Sequence, residues 1–465
     1  MNKYYLGVDL GSTTSKAVII DEKDNIIGRG ITNTRANYKV AADIAKLEAI
    51  FDARFNILES KLGSEIKDNP DSKKYINELK SVFKYLQFHK RLISLHTQLK
   101  QTISDIFENQ KGKTISKHID EIVNVIEPKI KYEFLTGNLG NKNQFFRDII
   151  SEKYNEQVEK LDKEFFESLM SVFDKSITPV ENEMVEYDFQ ELVHDSISIL
   201  NGKYENLKDK KDEDISLHFD AELNLLTGNI NSISDSLKEH IEQIAKMEIH
   251  IANMVGTGYG RALLPFAEDC IKSEILCHAF GAHAVFPDTR TVLDIGGQDT
   301  KAIQVDSNGL VTSFYMNDRC AAGCGRYLGY VADEFNLSLN EMGPLALNAE
   351  NEVNICSTCT VFAGAEIREL LNVGQQREDI LAGLHRAIVI RAMSLIARSG
   401  GVRNEFTFTG GVARNQAVLK YIIEMVKDGY GNDIKINIHT DSIFMGALGG
   451  AMFARRNIPV KIPSN

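Results

Sequence analysis

One hairpin pattern occurs twice in this chain, and the repeat limits the folds that the sequence can adopt. The first copy, LGVDLGSTTSKAVIID, begins at Leu6, and the second, TVLDIGGQDTKAIQVD, begins at Thr291. Each copy has an apolar strand, an Asp, a Gly, a polar turn, a Lys and a second apolar strand. A single offset of 285 positions carries Asp9 to Asp294 without a gap, and it also matches Gly11 with Gly296, Lys16 with Lys301, Ala17 with Ala302 and Asp21 with Asp306. The repeat predicts two related α/β domains, each of which begins with a glycine-tipped hairpin.

The polar residues of the two turns predict phosphate binding. A carboxylate at the end of a strand can hold Mg²⁺ through water, while neighbouring glycine N–H groups and hydroxyls contact phosphate oxygens. Asp9 and Asp294 are predicted to hold the Mg²⁺ of a nucleotide, and Gln298 to orient the water that attacks its γ-phosphate. The residues predicted to surround the phosphates are Gly11, Ser12, Thr13, Thr14, Lys16, Gly296 and Gly297. The alternative is two ordinary hairpins with turn glycines, but the constant offset favours phosphate binding.

A glycine pair later in the chain predicts the nucleoside end of the same site. Gly410 and Gly411 follow the apolar run FTFT and would let a ring or ribose lie against the backbone. Arg414 and Asn415 are expected on the first helical turn, within reach of the nucleoside. The alternative is a turn that needs its glycines for geometry alone. The turn GTGYGR, which begins at Gly256, is interpreted as a tight surface turn because its third glycine is misplaced for a dinucleotide fold.

The composition is that of a chain long enough for two or three domains with their own cores, at 465 residues and 43% hydrophobic side chains. A net charge of -12 without a basic stripe argues against nucleic acid or an anionic membrane as the main partner. No signal-peptide pattern opens the sequence, and no apolar run approaches the roughly 18 residues that a membrane span requires. The expected location is the cytoplasm.

A long glycine-poor segment follows the first hairpin. Only six of the 33 glycines lie between Ala36 and Asn231, and apolar residues recur there with a helical period. This predicts a large helical insertion whose helices are separated at Pro128 and Pro179. The predicted domains are 1–34 together with 232–290, the insertion at 35–231, and a second α/β domain at 291–465.

The cysteines predict a metal or redox site. All six lie between Cys270 and Cys359. Cys320 and Cys324 lie in NDRCAAGCGRYL, and Cys356 and Cys359 lie in NICSTCTVFAGAEI, so each pair precedes a helical pattern. Helix N-termini favour thiolates and other negative charge, which suits an iron–sulfur cluster. A structural zinc site is the alternative, and the remaining pair, Cys270 and Cys277 two helical turns apart, is expected in the core.

Several motifs, taken in order, resemble those of the ATP-dependent activators of 2-hydroxyacyl-CoA dehydratases and of the ATPase subunits of class I benzoyl-CoA reductases. The motifs are GVDLGSTTSKAVI, GTGYGR, DIGGQDTKAI, MNDRCAAGCGRYL, CTVFAGAEI, FTGGVARN and GALGGAMFARR. The resemblance covers residues 1–34 and about 234–465. It implies the duplicated ribonuclease-H-like α/β fold of acetate and sugar kinases, Hsp70 and actin. It also implies ATP with Mg²⁺, and a [4Fe-4S] cluster that bridges two protomers through Cys320 and Cys359 of each.

The chain departs from the family pattern in two places. Short activators usually carry Thr where this chain has Cys324, so Cys324 and the nearby Cys356 leave the ligand set open. The family's CTVFAES is CTVFAGA here.

The resemblance implies an ATP-hydrolysing subunit that delivers low-potential electrons to an acyl-CoA enzyme. The insertion resembles that of the larger ATPase subunit of benzoyl-CoA reductase, which favours reductive dearomatisation of benzoyl-CoA over activation of a 2-hydroxyacyl-CoA dehydratase. The implied partners are a homologous ATPase subunit or a second copy of the chain, an acyl-CoA reductase or dehydratase module, and ferredoxin or flavodoxin as donor. The alternatives of other classes are a sugar kinase, whose cysteines hold zinc or nothing, and a nucleotide switch without a redox role.

Overall fold

The structure is a computed structural model with two compact units. One unit, called here the α/β unit, comprises Met1–Ile50 and His250–Asn465, and the other, the helical unit, comprises Phe51–Ile249. The structure describes residues 2–34, 37–63, 69–107, 110–137, 139, 145–161, 163–200, 235–258, 266–317, 325–335, 337–351, 353–356 and 360–456.

The first sheet of the α/β unit contains the first copy of the repeated hairpin. Its strands are β1 (Tyr4–Leu10), β2 (Thr14–Ile20), β3 (Ile26–Asn33) and β4 (Ile251–Gly258). The strand order is β3-β2-β1-β4, with β1 antiparallel to β2 and parallel to β4. Almost every residue of β1 and β2 is buried, which explains the apolar run 17–20 in β2 and the mostly apolar sequence of β1.

The second sheet repeats this arrangement and adds one strand. Its strands are β5 (Thr291–Ile295), β6 (Thr300–Val305), β7 (Val311–Asn317), β8 (Phe406–Thr409) and β9 (Ile436–Ile438), in the order β7-β6-β5-β8-β9. Again the first hairpin strand, β5, is antiparallel to its partner β6 and parallel to a strand from much later in the chain, β8. The two sheets thus confirm the predicted fold class, a duplicated ribonuclease-H-like α/β arrangement.

The helices of the α/β unit pack around these sheets. Their bounds are α1 (Tyr38–Lys61, which contains the division between the units), α8 (Glu274–Val285), α9 (Gly325–Glu334), α10 (Leu339–Ala346), α11 (Thr360–Asn372), α12 (Arg377–Ser399), α13 (Gln416–Tyr430) and α14 (Met445–Arg456). Helices α8 and α14 cross in backbone contact, because a Cβ on Gly449 would lie 1.9 Å from the carbonyl oxygen of Cys277. The small-residue sequence of α14 allows this close approach, and its role as a shear surface stays a prediction.

Helix α12 is the central helix of the second half's core. The expectation that no apolar segment approaches the length of a membrane span does not hold for this helix, which is long and apolar enough by composition. However, 67% of its apolar window is buried inside the protein. Two polar side chains buried on it have partners: Asp379 accepts hydrogen bonds from the backbone of Glu350 and Asn351, and His385 Nδ1 lies 2.6 Å from the Leu381 carbonyl oxygen. These features are typical of the core helix of a globular domain.

The helical unit comprises the part of α1 after Ile50 and six further helices within its described residues. Their bounds are α2 (Pro70–Ile106), α3 (Gln110–Leu135), α4 (Phe146–Val158), α5 (Lys163–Asn182), α6 (Phe189–Leu200) and α7 (Asp235–Ala245). The start of α2 follows from its sequence, since Asn69 accepts a hydrogen bond from the Asp71 N–H and proline occupies the first turn.

The prediction that Pro128 and Pro179 separate helices is wrong. Pro128 lies inside α3 and Pro179 inside α5. Each proline removes one backbone hydrogen bond, but the buried face of each helix continues on both sides of it, as Ile126 and Ile130 show in α3. Packing of that face therefore outweighs the local preference to end the helix.

Candidate active site

Each repeated hairpin buries an ion pair at its tip. Asp9 and Asp294 are both 1% exposed. The strand register places Asp9 opposite Lys16 and Asp294 opposite Lys301. Lys16 Nζ lies 3.1 Å from Asp9 Oδ2, and Lys301 Nζ lies 3.3 Å from Asp294 Oδ2. The sequence repeat is therefore a repeat of structure, down to the paired side chains.

The two turns contact each other. The Gly296 N–H donates to the Asp299 carbonyl oxygen at 2.9 Å and closes the second turn. A Cβ on Gly297 would lie 2.1 Å from Thr13 Oγ1 of the first turn, so only glycine allows this approach. The other predicted phosphate residues, Gly11, Ser12 and Thr14, and the predicted water-orienting Gln298 lie in or beside these turns and are half-buried.

The end of β4 belongs to this site, although the GTGYGR motif predicts a surface turn from Gly256 onward; the rest of the motif, 259–261, lies outside the described residues. Gly258 and Gly410 have φ angles of 98° and 91°. A Cβ on Gly258 would lie 2.5 Å from the carbonyl oxygen of Leu10, and one on Gly410 would lie 2.3 Å from that of Ile295, the residue that the offset of 285 matches to Leu10. The two glycines thus hold equivalent positions. The signal available in the sequence was a Thr-Gly pair at the end of both strands.

The predicted nucleoside residues follow Gly410 in a different local structure from the one expected. Gly411–Arg414 forms a 3-10 turn, and Asn415 precedes α13 as its N-cap. Asn415 Oδ1 accepts from the N–H groups of Ala417 and Val418, and its Nδ2 lies 3.0 Å from His385 Nε2. Gly411 and Arg414 are exposed, whereas the Asn415 side chain is already hydrogen-bonded within the protein. Contact of these three residues with a nucleoside stays a prediction.

Helix α8 brings two further side chains to the site that sequence reasoning missed. His278 Nδ1 lies 3.1 Å from Asp294 Oδ1, and His278 Nε2 lies 3.9 Å from Asp9 Oδ2. Glu274, one turn earlier, lies 2.9 Å from Lys301 Nζ. The only sequence signal was an i,i+4 spacing of a Glu and a His on one helix face.

The electrostatics of the site follow from its burial. Burial raises the pKa of the Asp294 carboxyl, but His278 and Lys301 outweigh it and hold that pKa well below its usual range. Burial likewise lowers the pKa of Lys301, but Asp294, Glu274 and Asp299 raise it above its ordinary value. Burial raises the pKa of Glu274 despite the nearby ammonium of Lys301. Lys301 is therefore a permanent cation of the site.

The donor set fits a divalent cation. Four carboxyl groups, of Asp9, Asp294, Asp299 and Glu274, share the two ammonium groups of Lys16 and Lys301 and the imidazole of His278. Burial lowers the pKa of His278, but Asp294 outweighs it and raises that pKa above its usual value. Asp9 Oδ1 is buried without a hydrogen-bond partner among the described residues. A buried carboxylate oxygen without a partner is costly unless a cation or donor reaches it. These residues therefore fit the predicted Mg²⁺.

The cysteine-bearing segment 318–324 lies outside the described residues, but the residues at both of its ends are described. Asn317, just before it, pairs with Thr300 at the end of the phosphate turn. Gly325 and Arg326, just after it, donate their N–H groups to the carbonyl oxygens of Gly296 and Gly297 at 2.8 and 2.7 Å. One end of the segment is thus hydrogen-bonded to the turn, and the other end is paired with the strand residue that directly follows it.

The predicted cluster ligands Cys320 and Cys359, and also Cys324, lie outside the described residues. Cys356 is half-buried, and its N–H donates to Glu366 Oε2 at 2.8 Å. Cys277 lies in the core, as expected. Cys270 instead ends a 3-10 turn before α8 and is half-buried, because the helix begins only at Glu274.

Three relatives of known function match parts of the chain. A 2-hydroxyisocaproyl-CoA dehydratase activator from Clostridioides difficile is 41% identical over 204 residues, 44% of this chain and 74% of the relative. A (R)-2-hydroxyglutaryl-CoA dehydratase activating ATPase from Acidaminococcus fermentans is 39% identical over 219 residues, 47% of this chain and 81% of the relative. One of the benzoyl-CoA reductase subunits of Thauera aromatica is 31% identical over 176 residues, 38% of this chain and 62% of the relative.

Solved structures and a family model also match. Component A of (R)-2-hydroxyglutaryl-CoA dehydratase from Acidaminococcus fermentans aligns with a TM-score of 0.47 at 21% identity, over 98% of both chains. The activator of 2-hydroxyisocaproyl-CoA dehydratase from Clostridium difficile, with bound ADPNP, aligns with a TM-score of 0.47 at 21% identity, over 98% of this chain and 100% of that one. The model of the BadF/BadG/BcrA/BcrD ATPase family matches residues 6–454, nearly the whole chain, and the protein therefore belongs to this family of ATPases.

Proposed function

We propose that this ATPase couples ATP hydrolysis to the delivery of low-potential electrons through a [4Fe-4S] cluster shared between two ATPase protomers. The observation that carries the proposal is the attachment of segment 318–324 at one end to the turn that begins at Gly296 and at the other end to Thr300, the strand residue that directly follows that turn. That turn is the predicted phosphate contact, and the segment contains Cys320 and Cys324. Loss of the γ-phosphate would move this turn, and the backbone contacts would transmit the movement to the cysteine-bearing segment.

The residues of the site divide the work of ATP hydrolysis. Asp9 and Asp294 would hold the Mg²⁺ of the bound ATP, and the hydroxyls and amides of the two turns would contact its phosphates. Gln298 orients the attacking water. Once the γ-phosphate leaves, the Gly296 and Gly297 backbone is free to shift, and the first turn of α9 shifts with it because its amides donate to these two carbonyls.

Exposed apolar side chains near the cysteines support a protein partner at the cluster. Met316, four residues before Cys320, is 40% exposed, and Phe362, three residues after Cys359, is 70% exposed. Tyr330 of α9 is 53% exposed. Apolar and aromatic surface of this kind is typical of interfaces. We assign it to a second copy of the chain or a homologous ATPase subunit, which supplies the other two cysteines.

The electron acceptor is an acyl-CoA enzyme, and two types are supported. A 2-hydroxyacyl-CoA dehydratase is favoured by the higher identity to the two activators, 41% and 39% against 31% for the reductase relative. Benzoyl-CoA reductase is favoured by the helical unit, since a large helical insertion resembles that of the larger reductase ATPase subunit. The cluster, when bound, supplies a one-electron carrier. Ferredoxin or flavodoxin would be the donor, in the cytoplasm.

The first test is the iron, zinc and acid-labile sulfide content per chain after strictly anaerobic purification, together with the native mass. About two irons per chain in a dimer would support one shared four-iron cluster, and about four per chain would indicate a cluster within each chain that also uses Cys324 and Cys356. No iron, or one zinc per chain, in a protein that still binds ATP would contradict electron transfer and favour a kinase.

The second test separates the acceptors. The reduced protein with Mg-ATP is mixed either with the dehydratase component of a 2-hydroxyacyl-CoA system or with the catalytic component of a benzoyl-CoA reductase. Dehydration of the hydroxyacyl-CoA, or loss of the aromatic absorbance of benzoyl-CoA, identifies the acceptor. ATP turnover that requires a sugar and transfers phosphate to it would overturn the proposal.

A further inference from the structure

We propose that Asp9, Glu274 and His278 Nε2 directly bind a first-row divalent transition-metal ion, for which Mn²⁺ is the probe, and that they do so without nucleotide. The three side chains are buried, and one ligand atom from each lies within 4.8 Å of the other two. The inference rests on the geometry of this cluster and does not depend on electron transfer or on the identity of an acyl-CoA partner.

The distances around His278 Nε2 suit a shared cation better than hydrogen bonds. Nε2 lies 3.9 Å from Asp9 Oδ2 and 3.8 Å from Glu274 Oε1, both too long for a hydrogen bond. When two ligand atoms each lie about 2.1 Å from one metal ion, the distance between the two atoms is about 3 to 4.2 Å, depending on the angle at the metal. A cation between these atoms would therefore complete all three contacts at once.

The other nitrogen of His278 lies beside a carboxylate, as it commonly does in a metal-bound histidine. Nδ1 lies 3.1 Å from Asp294 Oδ1, which is ion-pair distance, although the angles are not those of a hydrogen bond. A histidine that binds a metal through one ring nitrogen commonly turns the other toward a carboxylate, which fixes the ring and strengthens the ligand. Asp294 takes this orienting position, and Nε2 is left to face Asp9 and Glu274.

Two further features leave the position open for an ion. Asp9 Oδ1 is buried and has no hydrogen-bond partner among the described residues. A Cβ on Gly446 of α14 would lie 2.7 Å from His278 Nε2 and 2.9 Å from Asp9 Oδ2, so the glycine keeps the space beside both ligand atoms free of a side chain. Lys301 also contacts Glu274, but it keeps Asp294 and Asp299 as partners when Glu274 binds a metal.

The ligand set determines the class of ion. Mg²⁺ prefers oxygen ligands and keeps much of its water shell. Imidazole nitrogen combined with carboxylates instead favours first-row transition metals, and their affinities follow the Irving–Williams order. We therefore expect Mn²⁺ to bind about tenfold or more tightly than Mg²⁺ in the absence of ATP, and Zn²⁺ to compete with it.

The test is a titration of the full chain, stripped of divalent cations and nucleotide, with Mn²⁺ followed by the EPR signal of the free ion. We expect one tight Mn²⁺ per chain, and we expect His278→Ala and Glu274→Gln each to weaken it about tenfold or more. His283→Ala is the matched control, since His283 lies at the other end of α8 and its Nε2 contacts Ser307. It should bind Mn²⁺ as the unchanged chain does.

Pulsed EPR is measured on the unchanged protein, so its result cannot be caused by misfolding of a variant. Mn²⁺ bound to His278 shows coupling to a ring nitrogen, which Mn²⁺ bound to cysteine or carboxylate alone does not. Absence of that coupling without nucleotide, or unaltered Mn²⁺ affinity in His278→Ala, would overturn the proposal. Mg-ATP turnover measured on the same preparation reports on the proposed function separately, because it requires no Mn²⁺.

Discussion

The two copies of the hairpin have the same backbone and the same Asp–Lys pair, yet their aspartates have different surroundings. Asp294 Oδ1 accepts from Thr409 Oγ1 at 2.9 Å, and its Oδ2 faces Lys301. Asp9 has Lys16 on Oδ2 but no hydrogen-bond partner for Oδ1 among the described residues. Both carboxylate oxygens of Asp294 therefore have a partner, whereas Oδ1 of Asp9 has none among the described residues.

The difference arises outside the hairpins. Thr257 takes the place in β4 that Thr409 takes in β8, since each pairs with its hairpin's aspartate. The Thr257 hydroxyl, however, donates to the Lys272 carbonyl oxygen at 2.9 Å. Helix α8 then adds His278 at 3.1 Å from Asp294 but 3.9 Å from Asp9. Duplication thus reproduces the backbone, while the surrounding elements give both oxygens of Asp294 a partner and leave Oδ1 of Asp9 without one among the described residues. We therefore expect Asp294 to contribute more to stability than Asp9.

Replacing each aspartate by asparagine should test this difference most strongly. Asp294→Asn removes the carboxylate beside His278 and one of three beside Lys301, whose side chain is 1% exposed, so we expect a loss of about 3 kcal/mol in the free energy of unfolding. Asp9→Asn should cost clearly less stability, because the Lys16 side chain is 10% exposed and reaches water more easily, and it should abolish Mg-ATP turnover. Urea unfolding and phosphate release measure the two effects. Equal stability losses would contradict the asymmetry.

The turn residues that the offset aligns, Thr13 and Gln298, provide the next comparison. Gln298→Ala removes the side chain predicted to orient the attacking water, and we expect ATP turnover to fall about 100-fold or more with iron content unchanged. Thr13→Ala removes at most one hydrogen bond to phosphate, which is worth about 1 kcal/mol, so turnover should fall about tenfold or less. Phosphate release at saturating Mg-ATP measures both. Turnover retained in Gln298→Ala would remove the role assigned to Gln298.

The structural elements that the chain repeats could be predicted from the sequence. Much less could be predicted of the elements that occur only once. The offset of 285 gave both hairpins, their Asp–Lys pairs and the fold class, because a local pattern that occurs twice specifies local structure. His278 was missed because a single histidine on an apolar helix is more often a core residue than part of a site. Its role depends on where α8 places it relative to Asp294 of β5 and to Asp9 of β1, which is far away in the sequence.

Two other misses have the same physical origin. Comparison with a dinucleotide fingerprint predicts a surface turn at Gly258, whereas its counterpart in the structure is Gly410 in the other half. Local propensity predicts a helix end at Pro128, yet packing of Ile126 and Ile130 continues the helix through it. Local rules predict local structure, and tertiary packing decides the exceptions.

Acid should affect the second half through His385, a buried residue of α12 whose Nε2 lies 3.0 Å from Asn415 Nδ2. Burial lowers its pKa to about 4, against an ordinary value of 6.5. The unfolded chain therefore binds the proton first, and stability is lost as the pH falls from about 6.5 toward 4. We expect a loss of about 2 kcal/mol between pH 7 and pH 5 from this residue. Unfolding at the two pH values should show a smaller loss in His385→Gln, and an unchanged loss would mean that other groups cause it.

The smallest effect tests the asymmetry most directly, because threonine to valine removes a hydroxyl with little change of shape. Thr409→Val removes a hydrogen bond to the ionised Asp294, worth about 1.5 kcal/mol or more. Thr257→Val removes a bond to the neutral Lys272 carbonyl and should cost about 1 kcal/mol or less. Thr257→Val should also leave Mg-ATP turnover within about twofold, because Asp9 does not depend on that hydroxyl. If urea unfolding showed equal losses, or if Thr257→Val slowed turnover as much as Thr409→Val, the two aspartates would differ in their contacts but not in their energetics. Oδ1 of Asp9, which lacks a hydrogen-bond partner among the described residues, would then be no guide to where the cation binds.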